Sequence, residues 1–233
     1  MKKILSFITT LFLAFSFVIP TFAAGKASVT QENFVTVDNW GTRSYAFAKV
    51  ENTGNKPIEY SAGLFEIYDT NGDTLASTSY LQVHGLVLQP GEYFYLEANE
   101  SIDDQHTSAD VDDYMLTVTA TNGSDNRTER YSCPTKWLPD FTVNRYWTKD
   151  YMEATFTNAT EETVFGLSIA LALLDEAGNI LFVSNKDFYS DVGIPSGSSI
   201  IVREEVSSTL LDYYEAKGIK PATVDAYAYV DHK

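Results

Sequence analysis

Apolar and polar residues alternate along most of this chain, with a period of two. In Tyr45-Ala46-Phe47-Ala48-Lys49-Val50, successive side chains point to opposite sides, as they do on a pleated sheet. Phe34–Val37, Ile58–Tyr68, Thr74–Val87, Tyr93–Leu96 and Tyr114–Thr121 continue the pattern and predict further strands. Turn residues punctuate them: Asn52-Thr53-Gly54-Asn55-Lys56-Pro57, Asp69-Thr70-Asn71-Gly72-Asp73, Leu88-Gln89-Pro90-Gly91 and Asn122-Gly123-Ser124. Asn71-Gly72 between apolar runs predicts a hairpin with a type I′ turn, which needs positive φ at both central residues. Helical spacing is confined to Ser207–Lys217, with Ser207 or Ser208 as N-cap and Gly218 placed for a left-handed C-cap, and to a short turn of helix within Asn99–Asp113.

The pattern occurs twice. Asn158, Asp175, Gly178 and Gly197 lie 106 residues beyond Asn52, Asp69, Gly72 and Gly91, and Phe141-Thr142-Val143 stands at the same offset from Val35-Thr36-Val37. Each copy has short strands separated by frequent turns, the signature of an all-β immunoglobulin-like sandwich. The expected organisation is therefore two tandem β-sandwich domains, residues 34–132 and 140–233, each with at most one short helix. Residues 24–33, small and polar, read as a flexible leader. Residues 133–139, Cys133-Pro134-Thr135-Lys136-Trp137-Leu138-Pro139, read as a stiff linker because two prolines interrupt regular pairing.

At the amino end, Lys2 and Lys3 precede the uncharged apolar run Ile4–Ile19 and the small-residue signal Thr21-Phe22-Ala23. Residues 1–23 thus predict a signal peptide and an exported product with no membrane span after cleavage. Sixteen Lys and Arg against thirty-two Asp and Glu give a net charge of −16. That field repels nucleic acid and anionic membrane surfaces, so no nucleic-acid partner is expected. The single cysteine, Cys133, excludes an intramolecular disulfide and leaves core burial to stabilise the fold.

Val50-Glu51-Asn52-Thr53-Gly54-Asn55-Lys56-Pro57, Phe65-Glu66-Ile67-Tyr68-Asp69-Thr70-Asn71-Gly72 and Leu88-Gln89-Pro90-Gly91-Glu92 together resemble the FxLYD-type immunoglobulin-like domain of exported bacterial proteins. Phe65, Tyr68 and Asp69 match the namesake run, with Ile67 in place of leucine; in the second copy, Leu171-Ala172-Leu173-Leu174-Asp175 lacks its phenylalanine and tyrosine. The resemblance implies an extracellular β-sandwich with no catalytic residues and no cofactor. It does not supply a ligand.

Chemistry-bearing residues are sparse. The acidic stretch containing Asp103, Asp104, Asp110, Asp112 and Asp113 is a weak calcium candidate beside the blander reading of a solvated surface, and no other metal site is expected. Asp69-Thr70-Asn71-Gly72-Asp73 superficially resembles a calcium loop, but it lacks the distal bidentate acid and reads better as a hairpin turn. No Gly-x-Ser-x-Gly elbow occurs, and the three histidines are His84, His106 and His232. Trp40, Trp137 and Trp147 are the candidate ligand-binding aromatics. Trp40 shares the repeat offset with Tyr146, which predicts equivalent packing positions, and Trp137 and Trp147 are expected at the domain junction. The expected function is a secreted, non-catalytic binding or structural module for an extracellular protein or glycan. Carbohydrate binding through surface aromatics is the alternative, and an extracellular hydrolase a third reading.

Overall fold

A computed structural model describes residues 25–84, 87–124, 129–145 and 147–230; the signal-peptide reading of residues 1–23 lies outside them. In chain order the strands are β1 (Ala27–Asp38), β2 (Thr42–Asn52), β3 (Ile58–Asp69), β4 (Thr74–Thr78), β5 (Gln82–Val83), β6 (Val87–Leu88), β7 (Tyr93–Ser101) and β8 (Val111–Asn122). They continue as β9 (Glu129–Ser132), β10 (Thr135–Asn144), β11 (Trp147–Thr157), β12 (Val164–Asp175), β13 (Ile180–Ile194), β14 (Ser199–Glu205) and β15 (Pro221–Val230). A 3-10 turn, Ser108–Asp110, precedes β8, and the nine-residue helix α1, Ser208–Ala216, precedes β15. The helix lies where Ser207 and Gly218 were expected to bound it, although the Ser207 side chain makes no capping bond.

Among the described residues, the strands form four antiparallel sheets. Sheet I joins β4, β3 and β6, with β8 pairing β3; sheet II runs β1-β2-β7-β5. Sheet III runs β13-β12-β15-β9 and sheet IV β10-β11-β14. They stack in the order I, II, III, IV. Sheets I and II form one sandwich, III and IV the other, and β13 and β12 of sheet III touch β2 and β7 of sheet II. Consecutive residues are therefore buried on the middle sheets, as with Ala46, Phe47 and Ala48 on β2 and Ile169 to Leu173 on β12. One hydrophobic core, extending from Val35 to Val230, runs through all the layers.

Two assignments along the chain change. The expected linker contributes to β10, where Thr135 pairs with Ala154 and Trp137 with Met152. Pro139 is accommodated at an irregularity between Leu138 and Phe141, with Asp140 at φ 51°. The expected leader is likewise strand, because β1 pairs with β2 from Ala27 onward; its polar residues suit a solvent-facing edge strand, and a bulge at Thr30 breaks the register. In addition, β9, which follows the first copy in sequence, pairs with β15 of the second.

The 106-residue repeat is a repeat of buried asparagines. Asn52 Nδ2 donates to the carbonyls of Lys56 (2.8 Å) and Leu88 (3.0 Å), and its Oδ1 accepts from the Gly54 N–H (3.0 Å). Asn158 Nδ2 donates to Glu162 and Ile194 (both 2.7 Å), and its Oδ1 accepts from the Thr160 N–H (3.0 Å). The Asn52 carbonyl accepts from Gly91 N–H, and that of Asn158 from Gly197 N–H, closing the Pro90-Gly91 and Pro195-Ser196-Gly197 turns. Both side chains are wholly buried, and without the amide their buried partners would be left unpaired.

The hairpins at Asp69 and Asp175 are built differently from the type I′ expectation. Gly72 and Gly178 have positive φ, whereas Asn71 and Ala177 do not. Gly72 N–H donates to Asp69 O (3.0 Å), and Asp69 Oδ1 accepts from the N–H groups of Asn71 and Asp73 (both 2.8 Å). This is a type I turn followed by a left-handed glycine, organised by an aspartate side chain. Asp175 repeats it with Ala177 and Asn179, and these bonds hold both carboxyls below the ordinary range against the opposing effect of burial.

The junction between sheets II and III is polar within an aromatic surround. Tyr93 and Tyr95 donate their hydroxyls to Asp225 Oδ2 (2.5 and 2.7 Å), and Tyr227 OH accepts from the Tyr95 N–H (2.7 Å). Arg130 lies 3.8 Å from the Tyr227 ring centroid and 4.4 Å from that of Tyr93, and it donates to Tyr229 OH and the Tyr93 carbonyl. Anchoring Arg130 here explains why β9 joins sheet III. Phe47 meets Phe182 edge-on at 5.5 Å, and Asn33 Nδ2 donates to Ile180 O and Tyr214 OH. The junction tryptophans of the expectation lie elsewhere, on β10 and β11 of sheet IV.

Asn52→Ala or Asn158→Ala strands two carbonyls and an amide in each case. Urea unfolding should show a loss of about 3 kcal/mol for either variant. Near the junction, burial pushes the Glu97 carboxyl up to about 7, Lys186 opposing and Glu204 reinforcing the effect. Its unfolded value lies near 4.5, so the folded state binds the additional proton between those limits. The stability Glu97 contributes is complete below the lower value and is lost as pH rises through 7. Relative to wild type, Glu97→Gln should gain about 2 kcal/mol between pH 5 and pH 8, read by urea unfolding at each pH.

Candidate functional site

The β1–β2 hairpin closes through Asp38-Asn39-Trp40-Gly41-Thr42, a composition that favours a tight turn. Trp40 adopts φ 55° and Gly41 φ 121°. A bulky residue in the left-handed region is strained, and glycine beside it relieves the remainder of the turn. Asn39 N–H donates to Gly41 O (2.9 Å), and Asn39 Nδ2 reaches across to Thr209 Oγ1 on α1 (2.7 Å). At the hairpin's base, Asp38 accepts from Thr42 Oγ1 (2.8 Å), Ser108 N–H (2.9 Å) and Ser108 Oγ (2.5 Å). These bonds, the Ser108 hydroxyl foremost, hold the Asp38 carboxyl below its usual range despite some burial.

The turn presents the Trp40 side chain fully to solvent, at 103% relative exposure. The expectation that Trp40 packs in the core is thus corrected: the strained turn carries the ring off the sheet. Tyr146, its counterpart by offset, lies outside the described residues. Beneath Trp40 opens a cleft of about 430 Å³. Arg43, Tyr45, Ser101 and Asp104 line it from the first copy, and Ser207 and Thr209 from the second. Arg43 donates through Nε and Nη2 to Ser101 Oγ (3.3 and 3.0 Å), which fixes the guanidinium against the wall.

The other sequence candidates do not converge on this cleft. Trp147 is 60% exposed on β11, and Trp137 is half-buried against the core from β10. Of the weak calcium ligands, only Asp104 lines the cleft. Asp103 is bound by His106 Nδ1 (2.7 Å) and Gln105 N–H, while Asp110 Oδ2 accepts from Thr107 N–H (2.7 Å) and Oγ1. Asp112 and Asp113 lie on β8. Each of the bonded acids is committed to local backbone, and among the described residues no three His, Cys, Asp or Glu side chains gather as a metal site.

One cluster has no forewarning in the sequence. Ser168 Oγ donates to Asp187 Oδ1 (2.6 Å), and His84 Nδ1 lies 3.5 Å from the same oxygen. Burial keeps the His84 pKa below its ordinary value, against the pull of Asp187. Both side chains address the carboxylate, so this order does not pair the hydroxyl with imidazole as a nucleophile and base. The cleft's own polar residues were equally hard to foresee, because Arg43, Ser101 and Thr209 meet only through sheet pairing and the stacking of the copies. The available signal was Trp40 itself, an aromatic set within turn residues.

No protein-family model matches the chain, and no curated protein matches it. Among solved structures, red sea bream transglutaminase is similar at 12% identity and a TM-score of 0.21, over 77% of this chain and 27% of that one. The chain thus spans about a quarter of that structure's length.

Cys133 is buried, and burial, reinforced by Asp225, pushes its thiol up to about 11. A thiol-specific reagent at pH 8 should leave the native protein unlabelled and modify one thiol per chain in urea. Rapid labelling of the native protein would contradict this placement.

Proposed function

We propose that the protein is an exported, non-catalytic binding module that engages an extracellular protein or glycan through the Trp40 hairpin and its cleft. The observation that carries this reading is a fully exposed indole held on a strained backbone and tied to a second element through Asn39 and Thr209. A large aromatic side chain gains nothing from such exposure within the fold itself. It offers a rigid contact surface with little side-chain entropy to lose on binding. The FxLYD-type resemblance supports an extracellular immunoglobulin-like module, and the charged and apolar pattern of residues 1–23 supports export. The net charge of −16 argues against polyanionic partners. Among the described residues, no helix is long and apolar enough to cross a membrane.

The test compares wild type with Trp40→Ala as full-length mature chains, each immobilised and exposed separately to purified cell-wall polysaccharides, soluble glycans and defined extracellular proteins. Saturable retention by wild type that drops at least about tenfold in the variant supports the reading. Because the ring faces solvent, Trp40→Ala should unfold within about 1 kcal/mol of wild type, so a loss of binding is not a loss of fold. Retention unchanged by the substitution would place the binding surface elsewhere.

A further inference from the structure

We propose that the cleft beneath Trp40 is a subsite for an uncharged pyranose ring, stacked on the indole and hydrogen-bonded by side chains from both sequence copies. The inference rests on the binding-module reading and names its ligand class.

The first argument is the surface offered. Trp40 stands at a hairpin tip and, among the described residues, its ring is fully exposed. The electron-rich face of an indole attracts weakly positive C–H groups, and the axial C–H face of a pyranose supplies a flat array of them. An apolar peptide side chain would instead need an enclosed pocket, whereas Val37 and Ile102 are the only aliphatic side chains in this lining.

The second argument is the hydrogen-bonding set. Arg43 presents guanidinium donors, of which Nε and Nη2 are oriented by Ser101, and Asp104 presents carboxylate acceptors. Ser101 Oγ already accepts from Arg43 and has its proton left to donate, while Thr209 Oγ1, accepting from Asn39, keeps a proton and one lone pair. Vicinal sugar hydroxyls both donate and accept, and so can pair with this mixture of donors and the Asp104 carboxylate. One cation and one anion balance in the lining, and the whole chain is strongly acidic, so the site favours a neutral sugar over a uronate or a sulfated one. The volume, about 430 Å³, accommodates a ring or a short oligosaccharide.

The third argument is placement. Thr209 belongs to α1 of the second copy, while Trp40, Arg43 and Asp104 belong to the first, and the Asn39–Thr209 bond sets their separation. A ring held between these residues spans the two copies, and losing either wall weakens it.

Saturation-transfer NMR and calorimetry on the mature chain would use maltotriose, mannotriose, galactotriose, chitotriose and a triuronate as probes, with a tryptic peptide library as the protein arm. At least one neutral trisaccharide should bind, with affinity falling about tenfold or more in Trp40→Ala and about threefold or more in Asp104→Asn and in Thr209→Val. Unchanged methyl resonances in each variant would establish that the fold persists. Preference for the triuronate overturns the neutral-sugar assignment. If no sugar binds while peptides bind in a Trp40-dependent manner, the ligand class is wrong and the binding-module reading stands. Trp40-dependent binding in neither arm removes both. Sugar binding unaffected by Thr209→Val would confine the subsite to the first copy and overturn the spanning geometry.

Discussion

A buried side-chain amide at the end of a strand holds each copy of this fold together. Asn52 ends β2 and Asn158 directly follows β11; each turns the chain and binds the carbonyl of a residue 36 positions away. That single contact brings the proline-glycine turn back against the strand it must follow. The requirement is severe because a buried amide without partners is costly, and so are the carbonyls it serves. It also accounts for the turn residues around it, since Gly91 and Gly197 present their N–H groups to the asparagine carbonyls in a left-handed conformation. The Asp69 and Asp175 turns complete each frame from the opposite end of β3 and β12 with side-chain-to-backbone bonds of the same kind.

With the frames fixed, the copies are free to differ in what they present to each other. Sheet II turns Tyr93, Tyr95 and Phe47 outward from its own sandwich, and sheet III meets them with Asp225, Tyr227 and Phe182. Tyrosine suits the contact because the ring buries apolar area while the hydroxyl satisfies a carboxylate. Burial and the Asp225 bond push the Tyr93 hydroxyl up to about 12, so it remains a donor at any physiological pH. Arg130 then covers the rings from β9, the short strand that crosses from one copy's sequence to the other's sheet. The Trp40 cleft opens at the opposite end of β2 from Tyr93, where the Asn39–Thr209 bond holds its two walls together.

Much of the architecture was legible in the sequence because turn chemistry is local. The all-β sandwich character, the repeat register and the helix after Ser207 all follow from residues within a few positions of one another. Failures arose where tertiary pairing overrode local signals. Pro134 and Pro139 read as a break, yet a bulge lets β10 pass through. Ser28, Thr30 and Gln31 read as a leader, yet an edge strand tolerates polar residues on its open side. Asn71-Gly72 read as a type I′ turn, but the Asp69 carboxylate had two amides within reach and chose another. Trp40 was legible as an aromatic of interest but not as an exposed one, because its exposure depends on a backbone angle. The cleft around it was not legible, since its residues come from positions 37 to 209 and meet only after the sheets stack.

The junction between the copies has a consequence for the two outer faces of the stack. Sheet IV occupies in the second copy the place of sheet II in the first, yet Ser199, Ile201 and Arg203 stand where Tyr93, Tyr95 and Glu97 stand. Sheet I is the counterpart of sheet III, yet Thr119 and Thr121 replace Asp225 and Tyr227. A head-to-tail contact would otherwise be self-propagating, since the same operation that seats the second copy on the first would seat another on the second. Among the described residues, the tyrosine–aspartate set of the junction is not repeated at these outer positions, so the two equivalent frames present unlike faces outward and the contact between sheets II and III has no copy there to extend.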